Sequence, residues 1–159
     1  MSSDGERQPP SRICYACGNA NEHGLHMHFR NEDGQAVCDY EPRPFQQGYP
    51  NRMHGGVVSA LLDEAMGYAT YYAKLWCATA RLNVRFRRPI PMDQTLRVEA
   101  WILKNRGRLV ELRAEMRTTG GDVLAEADGT FMKLDDRFSN EMTSLAREIG
   151  RTDAPEAIT

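Results

Sequence analysis

Long apolar runs are missing from this sequence. None approaches the roughly 20 residues that a membrane-spanning helix needs, and the opening stretch MSSDGERQPPSR has no apolar core of the kind a secretory leader carries. A membrane span and a leader are therefore not expected, and the expected compartment is the cytoplasm. An excess of one charge is missing too. Twenty basic residues against 22 acidic ones leave a net charge of −2, so there is no global reason for nucleic acid or an anionic membrane to be a partner. Internal repeats and low-complexity blocks are absent. Cysteines are few (Cys14, Cys17, Cys38 and Cys77), and in a cytoplasmic chain they are thiols rather than disulfides.

What is present is enough for one ordinary domain. The chain has 159 residues, 41% of them hydrophobic, and can bury a core without disulfides or metal. The stretch CYAC, Cys14 to Cys17, has the spacing of half a zinc site, and His23, His26 and His28 follow it. A full site needs a second pair at ligand spacing, and no clean one follows. The segment reads as a short packed turn with its thiols acting as small hydrophobes, and no metal is expected. His26 and His28 share one face of a strand and read as exposed strand residues.

Residues 1–12 are polar and read as a disordered tail. Two strands are predicted over Leu25–Arg30 and Ala36–Glu41, separated by the turn signal NEDG. The proline-rich EPRPFQQGYPNRM is a loop. A helix follows, roughly from 55 to 73. The period then changes from 3.6 to 2. Leu82, Val84 and Phe86 alternate with Arg81, Asn83 and Arg85. Leu96, Val98, Ala100 and Ile102 alternate with Arg97, Glu99 and Trp101. Val110, Leu112, Ala114 and Met116 alternate with Glu111, Arg113, Glu115 and Arg117. KNRGR and TTGGD are turns, and a last strand runs from Val123 to about Leu134, with Val123, Ala125, Ala127, Gly129 and Phe131 on one face. These are half-buried antiparallel strands. A polar segment, Ser139 to Ile149, is a short helix. The fold class is α+β: about six antiparallel strands curled around one long helix. The domain spans 13–137, and 138–159 holds the short helix and a tail. The sheet edges and the far side of the helix need cover, so a homodimer is expected.

The long helix begins in the stretch NRMHGGVVSALLDEAMGYA. With Asp63 as reference, Leu61, Ala65, Tyr68 and Tyr72 lie opposite it, flanked by Val58, Leu62 and Ala69, and form the buried stripe. On the Asp63 side lie Gly56, Ser59, Ala60, Met66, Gly67 and Thr70. Apart from the methionine these are small residues, so something approaches this face closely. An acid there has its pKa raised by desolvation or is relieved by nearby donors. Two readings stand for Asp63: a catalytic acid, or a structural hydrogen-bond acceptor across an interface. Glu64 points about 100° away, towards Tyr71, and reads as an ordinary ion-pairing residue. His54 reads as a loop or cap residue. The two glycines after it leave the helix N-terminal N–H groups open to a ligand oxygen, which suits a carbonyl that becomes negative in a reaction.

HGGVVSALLDEAMGYA, with an acid nine residues after the histidine, resembles the signature of the hotdog-fold acyl-CoA thioesterases of the phenylacetate-pathway type, in the 4-hydroxybenzoyl-CoA thioesterase superfamily. TARLNVRFRRPIP, GDVLAEADGTF and the opening CYACGNANEHGLHMHF also resemble that family, and the likeness covers about residues 13 to 134. It implies a hotdog fold, a homodimer that pairs into a homotetramer in many members, and active sites at the dimer interface. It implies an acyl-CoA thioester as substrate, with coenzyme A as part of the substrate and no separate cofactor. Asp63 matches the nucleophile or general base. Gly55, with Gly56 and His54 beside it, matches the residue whose backbone N–H polarises the carbonyl from the opposite subunit. Thr79 falls where relatives hold the water. Asn105, Arg106, Gly107 and Arg108 fall on a segment that contacts coenzyme A in relatives; as plain residues, the arginines read equally as solvated turn positions. Arg81 and Arg85 are further candidates for the same contact.

One position departs from the pattern. Many relatives place Asn or Gln six residues before the histidine as a second donor near the carbonyl, and here that residue is Gly48. Gln47 and Asn51 are the neighbouring candidates for the role. Losing such a donor costs roughly 10²–10³ in rate, which motivates an alternative: a hotdog module that binds acyl-CoA or another apolar ligand without turnover. A hotdog dehydratase or hydratase, which usually places its histidine and acid differently, is the third reading.

Overall fold

The computed structural model of the chain describes residues 12–148. Its elements are β1 (Arg30–Glu32), β2 (Gln35–Tyr40), α1 (Gly55–Tyr72), β3 (Cys77–Phe86), β4 (Leu96–Arg106), β5 (Leu109–Thr118), β6 (Val123–Lys133) and α2 (Asp136–Glu148). The strands form one six-stranded antiparallel sheet in the order β1-β2-β4-β5-β6-β3. The sheet wraps α1, which meets β2 through β6. This is the hotdog arrangement. Residues 1–11 of the expected tail and residues 149–159 lie outside the described residues.

The apolar stripe of α1 recurs at helical spacing, and Val58, Leu61, Leu62, Ala65, Tyr68 and Ala69 are all buried. They pack against the alternating residues of the sheet: Leu96, Val98 and Ala100 on β4, Val110, Leu112, Ala114 and Met116 on β5, and Ala125, Ala127 and Phe131 on β6. Met66 and Thr70, expected on the Asp63 side, are buried as well. The sheet curls further round the helix than a flat layer would, and it comes closest at Gly129. A Cβ there would lie 2.7 Å from Met66 Sδ. Only Gly56, Ser59, Ala60, Asp63 and Gly67 remain wholly or partly open along that side. Tyr72, expected in the stripe, is half-buried.

The outer face of the sheet explains the intervening charges. Glu99, Glu115 and Glu126 stand in one row across β4, β5 and β6. Such a row of like charges is unfavourable alone. Arginines of the neighbouring rows relieve it: Arg97 and Arg117 each reach Glu99 at 3.0 Å, Arg117 also pairs with Glu115, and Arg113 and Arg87 reach Glu126 at 3.2 and 2.5 Å.

Three expected elements shift. The first strand begins at Arg30 rather than Leu25. Leu25, Met27 and Phe29 are buried in alternation, but His26 sits at φ 53° and breaks the extended backbone between them. The β1–β2 hairpin closes through Asp33 and Gly34, both at positive φ, the two-residue turn that a twisted hairpin favours. The KNRGR turn is tighter than expected: β4 continues to Arg106, and Gly107 and Arg108 alone make the connection. Helix α2 starts at Asp136, three residues before the expected Ser139. It packs through Ser139, Thr143 and Ala146, and Trp76 Nε1 donates to Thr143 Oγ1 at 3.0 Å. No helix among the described residues is long and apolar enough to cross a membrane, which says nothing of strands.

Candidate active site

Asp63 sits in the middle of α1 on its open side, half-buried. Thr79 Oγ1 donates to Asp63 Oδ1 at 2.8 Å. Burial pushes the Asp63 carboxyl above the usual aspartate range, and the Thr79 hydroxyl partly offsets this by favouring the charged form. The result is a carboxylate more basic than usual, oriented by one donor, on a helix side whose open residues are small. A Cβ on Gly67, one turn further along, would meet nothing within 4 Å.

Simple alternation puts Thr79 on the same face as Arg81, away from the helix. A β-bulge corrects the phase. Thr79 pairs with Phe131 and Arg81 with Thr130, so Ala80 is the extra residue. The bulge turns Thr79 inward with Leu82, Val84 and Phe86 while Arg81 stays outward, and bulges commonly re-aim side chains in this way. No sequence signal marks this bulge.

The start of α1 is the second half of the site. His54 is the N-cap, and its Nδ1 accepts from the Gly56 N–H at 2.9 Å. The Gly55 N–H has no protein partner among the described residues, and both glycines are exposed. The Phe86 ring lies over Gly55, where a Cβ would come within 3.3 Å of it. The helix thus presents the Gly55 N–H at an end that carries a partial positive charge. Within one chain, however, Gly55 and Asp63 are about 12 Å apart along the helix axis at ~1.5 Å per residue. A single chain does not bring them to one carbonyl.

Upstream, Gly48 is hemmed in, because a Cβ there would lie 3.3 Å from both Cα and Cδ2 of His54. Gln47 Oε1 accepts from the Asn51 N–H at 3.2 Å, and Asn51 turns the chain at φ 58°. Gln47 and Asn51 line one open cavity of about 590 Å³ together with Pro42, Pro44, Arg52, Met92 and Asp93. Arg106, Gly107 and Arg108 are exposed at the tip of the β4–β5 hairpin, with Asn105 just before them. Neither Arg106 nor Arg108 forms an ion pair among the described residues, and neither does Arg81 on the outer face of β3. Arg85 is committed to Glu126 at 3.4 Å.

Glu64 is not the ion-pairing residue that its position suggested. It meets no cation among the described residues. Instead it faces Cys14, whose Sγ lies 3.8 Å from Glu64 Oε1, and burial lifts its carboxyl to about 7. The N-terminal segment folds over this side of α1, and nothing in the local sequence of the helix announces that.

An antiparallel sheet wrapped round a long helix defines a hotdog domain, here with an acid on the helix's open side and glycines at its start. Comparison with known proteins agrees. A family model described as Thioesterase superfamily matches residues 51–125. The acyl-coenzyme A thioesterase THEM4 of Bos taurus is 33% identical over 111 residues, 69% of this chain and 46% of the relative. Two solved structures are similar. A thioesterase superfamily protein is 27% identical with a TM-score of 0.73, covering 76% of this chain and 60% of that one. The PaaI protein of the E. coli phenylacetic acid degradation operon is 20% identical with a TM-score of 0.65, covering 70% of this chain and 81% of its own. The chain is similar to the Thioesterase superfamily over residues 51–125. It spans about half the length of the curated relatives it matches.

Proposed function

We propose that the protein is an acyl-CoA thioesterase whose active site is completed by a second copy of the chain. The observation that carries this reading is Asp63: a carboxylate made more basic by burial, oriented by the Thr79 hydroxyl, on an otherwise small-residue side of α1. Asp63 either takes the proton of a water that attacks the thioester carbonyl carbon or attacks that carbon itself. The carbonyl oxygen becomes negative, the C–S bond breaks, and coenzyme A leaves as the thiol. The open Gly55 N–H, at the positive end of α1, stabilises that oxygen. Since Gly55 and Asp63 of one chain lie about 12 Å apart, the N–H comes from the partner of a homodimer. Arg106 and Arg108, without an ion pair among the described residues and exposed at the hairpin tip, are the candidates for the coenzyme A phosphates.

Release of free thiol across a panel of acyl-CoA substrates tests the activity. Hydrolysis by the wild-type chain that vanishes in Asp63→Asn is expected; equal rates in both overturn the role of Asp63. A mixed dimer tests the shared site. Gly55→Pro removes the N–H at the first helical position, where proline is tolerated. Co-expressing Gly55→Pro with Asp63→Asn rebuilds one intact site per mixed dimer only when the two groups come from different chains. Activity well above either variant alone is therefore expected, and no recovery overturns the arrangement.

A second reading has its own observation. The residue that relatives use as a second carbonyl donor is Gly48 here, packed against His54. A module that binds acyl-CoA without turning it over fits that loss. Tight binding with no thiol release over hours supports it; brisk hydrolysis overturns it.

A further inference from the structure

The stretch CYAC supplies half a metal site, and the structure brings a third ligand to it from 50 residues away. The turn that carries the two cysteines is closed by hydrogen bonds from Gly18 N to Cys14 O at 2.9 Å and from Ala20 N to Arg12 O at 2.8 Å. Gly18 is forced: a Cβ there would lie 2.5 Å from Arg12 O and Cys14 N. The turn is held down by Leu25 N donating to Tyr15 O at 2.7 Å and Met27 N donating to Ala16 O at 2.9 Å. It lies across the Glu64 side of α1, and Phe29, just beyond it, stacks on Tyr68 with ring centroids 4.3 Å apart.

Cys14 Sγ, Cys17 Sγ and a Glu64 carboxylate oxygen all lie within 4.8 Å of one another. Cys17 is buried, Cys14 half-buried, and both are free thiols. The Cys17 thiol and the backbone N–H groups of Cys17 and Ala16 point at Cys14 Sγ. Three acidic groups thus face one another with no basic side chain paired to Glu64 among the described residues. Such a group is stable when protons are retained or when a cation takes their place.

The ligand set decides which cation. Two thiolates and a carboxylate suit zinc, with Zn–S near 2.3 Å and Zn–O near 2.0–2.2 Å, which sets ligand atoms about 3.3–3.8 Å apart. Modest contraction of the present group reaches that. We propose that Cys14, Cys17 and Glu64 bind a zinc ion, with water at the fourth position, and that the ion fastens the N-terminal segment to α1 one residue from Asp63. The site stands apart from Thr79 and Gly55 and does not depend on the proposed activity. His23, His26 and His28 take no part in it.

Metal analysis of the full chain, prepared without chelator or a metal-binding tag, tests this. About one zinc per chain is expected. The metal-free chain should take up Co²⁺ with thiolate-to-cobalt charge-transfer bands and the strong visible bands of a four-coordinate site. Cys14→Ser and Cys17→Ser should lose those bands, and Glu64→Gln should weaken binding at least tenfold against a competing chelator. Should a cysteine variant fail to fold, the wild-type chain suffices: zinc is expected to shield Cys14 and Cys17 from alkylation, read by mass spectrometry. A zinc-free chain whose metal-free form gives no cobalt–thiolate bands overturns the site. So does a Cys14–Cys17 disulfide in the chain as isolated. Unchanged cobalt affinity and spectrum in Glu64→Gln overturns the third ligand.

Discussion

Asp63 and Glu64 are neighbours in the chain, lie on different sides of one helix and differ in everything beyond their shared first cause. Burial raises both carboxyl groups. On the Asp63 side the only donor among the described residues is one hydroxyl from β3, and the open residues of that side are small. On the Glu64 side a folded segment closes over the carboxylate and places two thiols against it. The difference teaches that desolvation alone does not assign a role. What reaches the carboxylate does: a single donor and free space suit the base proposed for Asp63, whereas two thiols and a closed cover suit the ligand proposed for Glu64.

Asp63→Asn should break the comparison most strongly, lowering kcat by about 10²–10⁴-fold. The same change should not lower stability. A carboxyl with a raised folded pKa binds more protons folded than unfolded between its ordinary and its raised pKa, so stability falls as pH rises through that window. At neutral pH the ionised Asp63 is therefore a net cost, and the amide should leave Tm equal or higher. A Tm drop together with lost activity points instead to a structural aspartate. Thr79→Val comes next. A hydrogen bond to a charged group contributes roughly 1.5–3 kcal/mol, or about 10–100-fold in kcat/KM if it is needed in the transition state. Removing the donor also removes the effect that lowers the Asp63 pKa. The acid limb of the kcat/KM profile should therefore sit above the ordinary aspartate range in the wild-type chain and move further up in Thr79→Val; a limb that stays put disconnects Thr79 from the base. Glu64→Gln should have the smallest effect on turnover, less than about tenfold, since it acts only by loosening the segment beside α1. A loss as large as that of Asp63→Asn would erase the distinction between the two sides.

Much of this was legible beforehand, for physical reasons that can be named. Helix α1 announces itself through apolar residues at helical spacing after a histidine cap, and β4, β5 and β6 through strict alternation between core residues and an arginine–glutamate face. Asp63 was legible because a helix side of glycine, serine and alanine is unusual around an acid. Thr79 was placed by family resemblance alone, since period-2 alternation puts it on the outer face and only the bulge at Ala80 brings it inward. The first strand was misplaced because burial alternates through Leu25, Met27 and Phe29 while the backbone turns at His26. Glu64 was misread because local periodicity gives its direction on the helix and not what covers it.

By itself, then, the sequence determined the α+β class, the helix and its core stripe, the sheet's two faces and the acid with its glycine-rich helix start, since each is written in spacing within one element. The tertiary structure decided which hydroxyl orients Asp63, how far the sheet closes round Met66 and Thr70, and that Glu64 meets Cys14 and Cys17. Those outcomes depend on a bulge, a bare glycine and a contact across 50 residues, and no local period in the chain encodes them.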